Sequence, residues 1–126
     1  MIESPRGVAN ADSIAATPGI DALWVGHFDV THILGIPAEF RHPDFLNSVD
    51  QVISAAGRQG KIAGINPRTE DQTNEWIAAG FRALAWSNDA AIYRDAHISA
   101  VRRLRGWRKP ADQATQSPAP YRQQGT

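Results

Sequence analysis

The chain has 126 residues, 42% of them apolar, with 13 acidic and 13 basic side chains and no cysteine. That is one domain's worth of chain, and a formal net charge of zero gives no general attraction to nucleic acid or to an anionic membrane. Without cysteine there is no disulfide framework, thiolate metal site or thiol nucleophile, so any metal must sit on carboxylates, imidazoles or water.

No apolar run is long enough to span a bilayer, and Met1 opens directly on Ile-Glu-Ser-Pro with no secretory leader, so a cytoplasmic location is expected. Met1, Ile2 and Glu3 read as the tail of a strand, and Ser4, Pro5 and Arg6 as the loop after it. Ala9 to Thr17 is expected to be a crossover helix that stops at the breaker pair Pro18-Gly19. Ala22, Leu23, Trp24 and Val25 form the next strand, closed by Gly26. This is a βαβ unit, in which ligands bind beyond the carboxyl ends of the strands. Glu3 and Asp29 each follow such an end, so both carboxylates face one crevice. A converging pair of hard oxygen ligands suits Mg²⁺ or Mn²⁺. Taken singly, either residue is as well explained as a turn, cap or exposed strand residue.

Gly26 to Pro43 reads as a long polar and aromatic loop of the functional kind. Asp44 is the expected cap of a helix in which Phe45, Leu46, Val49, Val52, Ile53 and Ala56 keep helical spacing up to Gly60. Lys61 to Ile65 make a third strand, with Asn66, Pro67 and Arg68 as its carboxyl-end loop. Thr69 or Asp71 caps the next helix, which carries Trp76, Ile77 and Ala79 and ends at Gly80. Phe81 to Trp86 is the fourth strand, and a last helix from Ala90 to Arg105 places Ile92, Tyr93, Ala96, Val101 and Leu104 on one side. Asn66 and Asp89, at the ends of the third and fourth strands, face the same mouth and either contact substrate or cap the following helix. Trp24, Trp76 and Trp86 are assigned to packing.

The order β, α, β, α, β, α, β, α is four consecutive units of an eight-unit (β/α)₈ TIM barrel, an α/β fold, so the chain reads as half of one. Residues 1–106 are expected to form the partial barrel domain. Residues 107–126, poor in large apolar side chains, are expected to be a disordered tail. Arg102, Arg103, Arg105, Arg108 and Lys109 are cations at a helix end, favourable to the macrodipole.

The phrase IES, then PGIDALWVGHFDVT, then a Gly-Ile-Pro and His-Pro loop, resembles the HpcH/HpaI aldolase and citrate lyase family of metal-dependent pyruvate aldolases, from Met1 to about Arg105. The resemblance implies that the chain is the carboxyl-terminal half of such a barrel, with the amino-terminal half missing and the first strand cut short, and that Glu3 and Asp29 hold a divalent metal, Mg²⁺ or Mn²⁺ with Co²⁺ as an alternative. It implies too that the backbone N–H groups of Phe28 and Asp29 hold a pyruvate carboxylate, with Gly26 leaving room for close approach. The reaction implied is cleavage of a 4-hydroxy-2-oxo acid to pyruvate and an aldehyde through a metal-stabilised enolate. Lys61 precedes its strand, the wrong end for a covalent role.

Two departures stand out. His27 occupies a place where the family usually has proline, although alternation of neighbouring residues at a strand end argues against its reaching the metal. The family's enolate-stabilising arginine and histidine base come from the amino-terminal half and have no matching position here; His32, His42 and His97 do not replace them. Citrate-lyase-like cleavage of an acyl thioester is the nearest rival chemistry. From a different class comes a catalytically silent half barrel, a metal-binding or oligomerising module whose open sheet edges pair with another copy.

Overall fold

A computed structural model describes residues 1–107. Ser4 opens the first helix. Its Oγ accepts from the backbone N–H of Gly7 at 3.1 Å, and Pro5 stands where its missing N–H costs nothing, so α1 (Pro5–Ala9) begins in the segment expected to be loop. Asn10, at φ −100° and ψ 10°, interrupts the helix, and its side-chain amide donates to the Arg6 carbonyl. The expected single crossover helix is therefore two short ones, α1 and α2 (Ala11–Ala15). Gly19 turns the chain at φ +82°, a conformation that favours glycine, and leads into β1 (Ala22–Trp24).

The next segment, expected to be loop, contains α3 (His27–Ile33). Its polar composition hides a buried stripe: Val30 and Thr31 face inward, and the Thr31 hydroxyl lies within hydrogen-bond reach of the His27 and Phe28 carbonyls at 3.0 and 2.9 Å. α4 (Pro43–Arg58) follows, capped by His42, whose Nδ1 accepts from the Asp44 N–H, so the cap lies two residues before the expected Asp44. β2 (Ile62–Ile65) and α5 (Glu70–Ala79) lie as expected; Thr69 Oγ1 accepts from Gln72 N–H, and Gly80 ends the helix at φ +118°.

The sheet is parallel and three-stranded, in the order β1-β2-β3, with Ala22, Leu23 and Trp24 opposite Ile62, Ala63 and Gly64. β3 (Ala83–Leu84) is two residues long, shorter than the expected 81–86, although Arg82 N–H and Ala85 N–H also bond to β2 at Ala63 and Ile65. The expected first strand is a single bridge, Ile2 to Val25. The described residues therefore show three strands and a bridge flanked by helices, as in a partial (β/α) barrel.

Alternation along the strands sorts the side chains. Ile2, Leu23, Val25, Ala63 and Ile65 are buried with Phe45, Val49, Val52, Trp76 and Phe81 from the helices and loops. The opposite face is open: Met1 is 75% and Ile62 46% exposed. On it Trp24 lies across Gly64, where a Cβ would come within 2.3 Å of the ring. Trp76 is buried as expected, whereas Trp86 is 52% exposed.

A second compact unit starts at Asn88 and contains α6 (Asp89–Trp107). Asn88 Oδ1 accepts from Ala91 N–H and Asp89 Oδ1 from Ala90 N–H, so both side chains serve the start of the helix. Trp107, expected in the tail, is its last residue; the rest of the expected tail lies outside the described residues. Ile92, Tyr93, Val101 and Leu104 are exposed. No helix among the described residues is long and apolar enough to cross a membrane.

Candidate metal centre

Two backbone hydrogen bonds align the amino terminus with the end of β1, and a third ties that end to β2. Ile2 N–H donates to the Trp24 carbonyl at 2.7 Å, Gly26 N–H to the Ile2 carbonyl at 2.8 Å, and Val25 N–H to the Gly64 carbonyl at 2.8 Å. With Ile2 turned into the core, Glu3 turns to the open face beside Gly26. Gly26 is then the N-cap of α3, and Asp29 lies in the first turn, where the helix dipole favours a negative charge.

The two carboxylates meet over the glycine. A Cβ built on Gly26 would stand 2.6 Å from Glu3 Cγ, 3.4 Å from Glu3 Oε1 and 3.2 Å from Asp29 Oδ2. Both side chains are exposed, and among the described residues no cluster of three or more His, Cys, Asp or Glu side chains forms around a metal position. Two carboxylates, with the remaining positions left to water and substrate, fit Mg²⁺ or Mn²⁺, which dehydrate reluctantly. Gly26 supplies no side-chain cap, so the first N–H groups of α3, those of Phe28 and Asp29 among them, have no acceptor within the helix.

His27 is elsewhere. It is 6% exposed and packs its ring against Phe28, Phe40 and Trp76, with centroids 4.5, 5.1 and 5.1 Å away. Its Nε2 is buried without a hydrogen-bond partner. Burial foremost, and then the charge of Arg68, push its pKa down to about 4, against the opposing pull of Asp29 and of a hydrogen bond with the Val25 backbone. The ring is thus a neutral packing group at pH 7, buried where Glu3 and Asp29 are exposed.

Asn66 accepts a 2.6 Å hydrogen bond from Trp24 Nε1 to its Oδ1. Arg68, in the same loop, holds its guanidinium carbon 5.9 Å from the centroid of Phe28 and forms no ion pair among the described residues. Sequence reasoning missed both contacts; the one signal for the first was a glycine, Gly64, two positions before Asn66 in a strand. His32 is exposed, His42 caps α4 and His97 packs on Tyr93 at 4.4 Å. A groove of about 600 Å³ between Ala38–His42 and α5 is bridged by an Arg41–Glu75 ion pair and is lined by neither Glu3 nor Asp29.

The HpcH/HpaI aldolase/citrate lyase family model matches residues 1–96. A hydroxypyruvate/pyruvate aldolase of Chromohalobacter salexigens is 35% identical over 106 residues, which are 84% of this chain and 42% of that one. A 5-keto-4-deoxy-D-glucarate aldolase of Shigella dysenteriae is 35% identical over 96 residues, 76% of this chain and 38% of that one. The crystal structure of a family protein from Burkholderia cenocepacia superposes with a TM-score of 0.76 at 34% identity, covering 82% of this chain and 40% of that one. The chain thus spans about two fifths of the length of the relatives it matches. It belongs to the HpcH/HpaI aldolase/citrate lyase family.

Proposed function

We propose that this chain carries the metal-binding half of a carbon–carbon lyase site that cleaves a 4-hydroxy-2-oxo acid to pyruvate and an aldehyde. The observation behind this reading is the meeting of Glu3 and Asp29 over Gly26. The two carboxylates would hold Mg²⁺ or Mn²⁺. When bound, the ion supplies a Lewis acid for the oxygens of a 2-oxo acid. The N–H groups of Phe28 and Asp29, at the positive end of α3, would hold the acid's carboxylate, and Gly26 keeps a side chain out of that approach.

His27, neutral and enclosed by aromatic rings, carries no proton in this scheme. The arginine and the histidine base that the family likeness calls for have no counterpart in this chain. Residues 1–106 would therefore act as the carboxyl-terminal half of a (β/α)₈ barrel, four units counted from Ile2, with activity belonging to an assembly that supplies the other half. A second reading, a silent module that associates with a further copy, draws on the open sheet face with its exposed Met1 and Ile62.

Pyruvate binding tests the proposal. Titration of the chain with pyruvate should show binding in the presence of Mg²⁺ and none with the ion chelated. Equal binding in both conditions would contradict a site built on Glu3 and Asp29.

A further inference from the structure

Trp24 and Gly64 are register partners in the parallel sheet, and Val25 N–H bonds to the Gly64 carbonyl. Gly26 and Asn66 each come two residues after that pair, just past the ends of β1 and β2. The Asn66 amide reaches Trp24, whose ring lies over Gly64 on the open face, the face to which Glu3 turns beside Gly26. The indole Nε1–H only donates, so the atom 2.6 Å from it is the amide oxygen of Asn66. That fixes the amide. Its Nδ2, which makes no hydrogen bond among the described residues, is left with two N–H donors.

The geometry points to Asn66 as a further reactant-binding residue of this site, its amide donating to an oxygen of the 2-oxo acid held at Glu3 and Asp29, with Trp24 as the positioning residue that sets the amide's orientation. The inference rests on the metal-site reading above. Chemically the arrangement is complementary: Glu3 and Asp29 offer only acceptors and would face the ion, so donors to the acid's oxygens must come from other groups. Gly64 is part of the device. A side chain there would lift the indole off the strand and release the amide.

The test uses the full ¹⁵N-labelled chain, Mg²⁺, and oxalate as an unreactive stand-in for the 2-oxo acid. Addition of oxalate to the Mg²⁺-loaded chain should shift the Asn66 side-chain amide and the Trp24 indole N–H signals, which Mg²⁺ alone should move little. Asn66→Leu should weaken oxalate about fivefold at unchanged Mg²⁺ affinity, the loss of one ordinary hydrogen bond. Asn66→Asp keeps an acceptor for Trp24 but has no donor and adds a negative charge, so oxalate should weaken more than in Asn66→Leu although the indole signal stays hydrogen-bonded. Trp24→Phe should weaken oxalate in Asn66 chains and have no further effect in Asn66→Leu chains. Normal Mg²⁺ binding with unchanged oxalate affinity in Asn66→Leu and Asn66→Asp would overturn this inference and leave the metal site standing. Absence of Mg²⁺ binding in the unaltered chain would overturn both.

Discussion

Glu3 Oε1 and Asp29 Oδ2 both lie within 3.4 Å of one point, the position a Cβ on Gly26 would occupy. Residues far apart in sequence are brought there by the bridge between Ile2 and Val25 and by the entry of α3 directly after the strand. The missing side chain at Gly26 leaves that point open beside both carboxylates.

Gly26→Ala should accordingly act on the metal before it acts on the fold. Its methyl group would stand 2.6 Å from Glu3 Cγ, and Glu3 is exposed and free to swing away. Mg²⁺ affinity should fall at least about tenfold, read by calorimetry, with the circular dichroism spectrum unchanged. Gly57→Ala is the matched control. That position is within α4 with nothing inside 4 Å of a new Cβ, and the change should stabilise the chain by roughly 0.5–1 kcal/mol.

Gly64→Ala should be damaging for a different reason. The new methyl would fall 2.3 Å from Trp24 Cε3, a ring pinned by its bond to Asn66. Overpacking of this kind costs about 1–3 kcal/mol. A lowered melting temperature together with altered tryptophan emission is the expected result.

β1, β2, α4 and α5 were legible in the sequence because each rests on local signals: an apolar run closed by Gly26, helical spacing from Phe45 to Ala56, a Thr69 cap. Glu3 and Asp29 do come to lie beside Gly26, at the end of β1. The Trp24–Gly64–Asn66 arrangement was not legible, because it exists only once β1 and β2 are set in register. α3 was hidden by its composition. His27, Phe28, Asp29 and His32 look like loop, and the burial of Val30 and Thr31 that makes the segment a helix is tertiary. His27 drew attention as an ionisable ring beside Asp29, yet its surroundings are supplied by Phe40 and Trp76 from later in the chain. The split of the first helix at Asn10 and the start at Ser4 were readable in principle, since Ser-Pro is a strong helix-entry signal.

His27 gives the metal-free chain a pH dependence of defined sign. Its pKa is about 4 in the folded state against 6.5 for the free side chain, so between those values the unfolded chain binds a proton that the folded chain does not. The contribution is full above pH 6.5 and is lost as pH falls toward 4, about 3 kcal/mol in all. Urea unfolding at a series of pH values with chelator present should show stability rising with pH across that window. His27→Phe should flatten this part of the profile.

Thr31→Val should loosen α3 from the segment after it. The Thr31 hydroxyl is fully buried, has the His27 and Phe28 carbonyls in reach of its one proton and accepts from Ala38 N–H at 3.2 Å. Valine keeps the shape and leaves that N–H without its acceptor, at a cost of about 1–2 kcal/mol. Faster amide exchange at Ala38 in the variant than in the unaltered chain is the local readout.

The most direct test of the account is calorimetric titration of the chain with Mn²⁺ beside its Glu3→Gln and Asp29→Asn variants. Saturable one-site binding in the unaltered chain, lost in both variants with the fold retained, is the result expected. Binding that survives unchanged in either variant would contradict a site made by the two carboxylates.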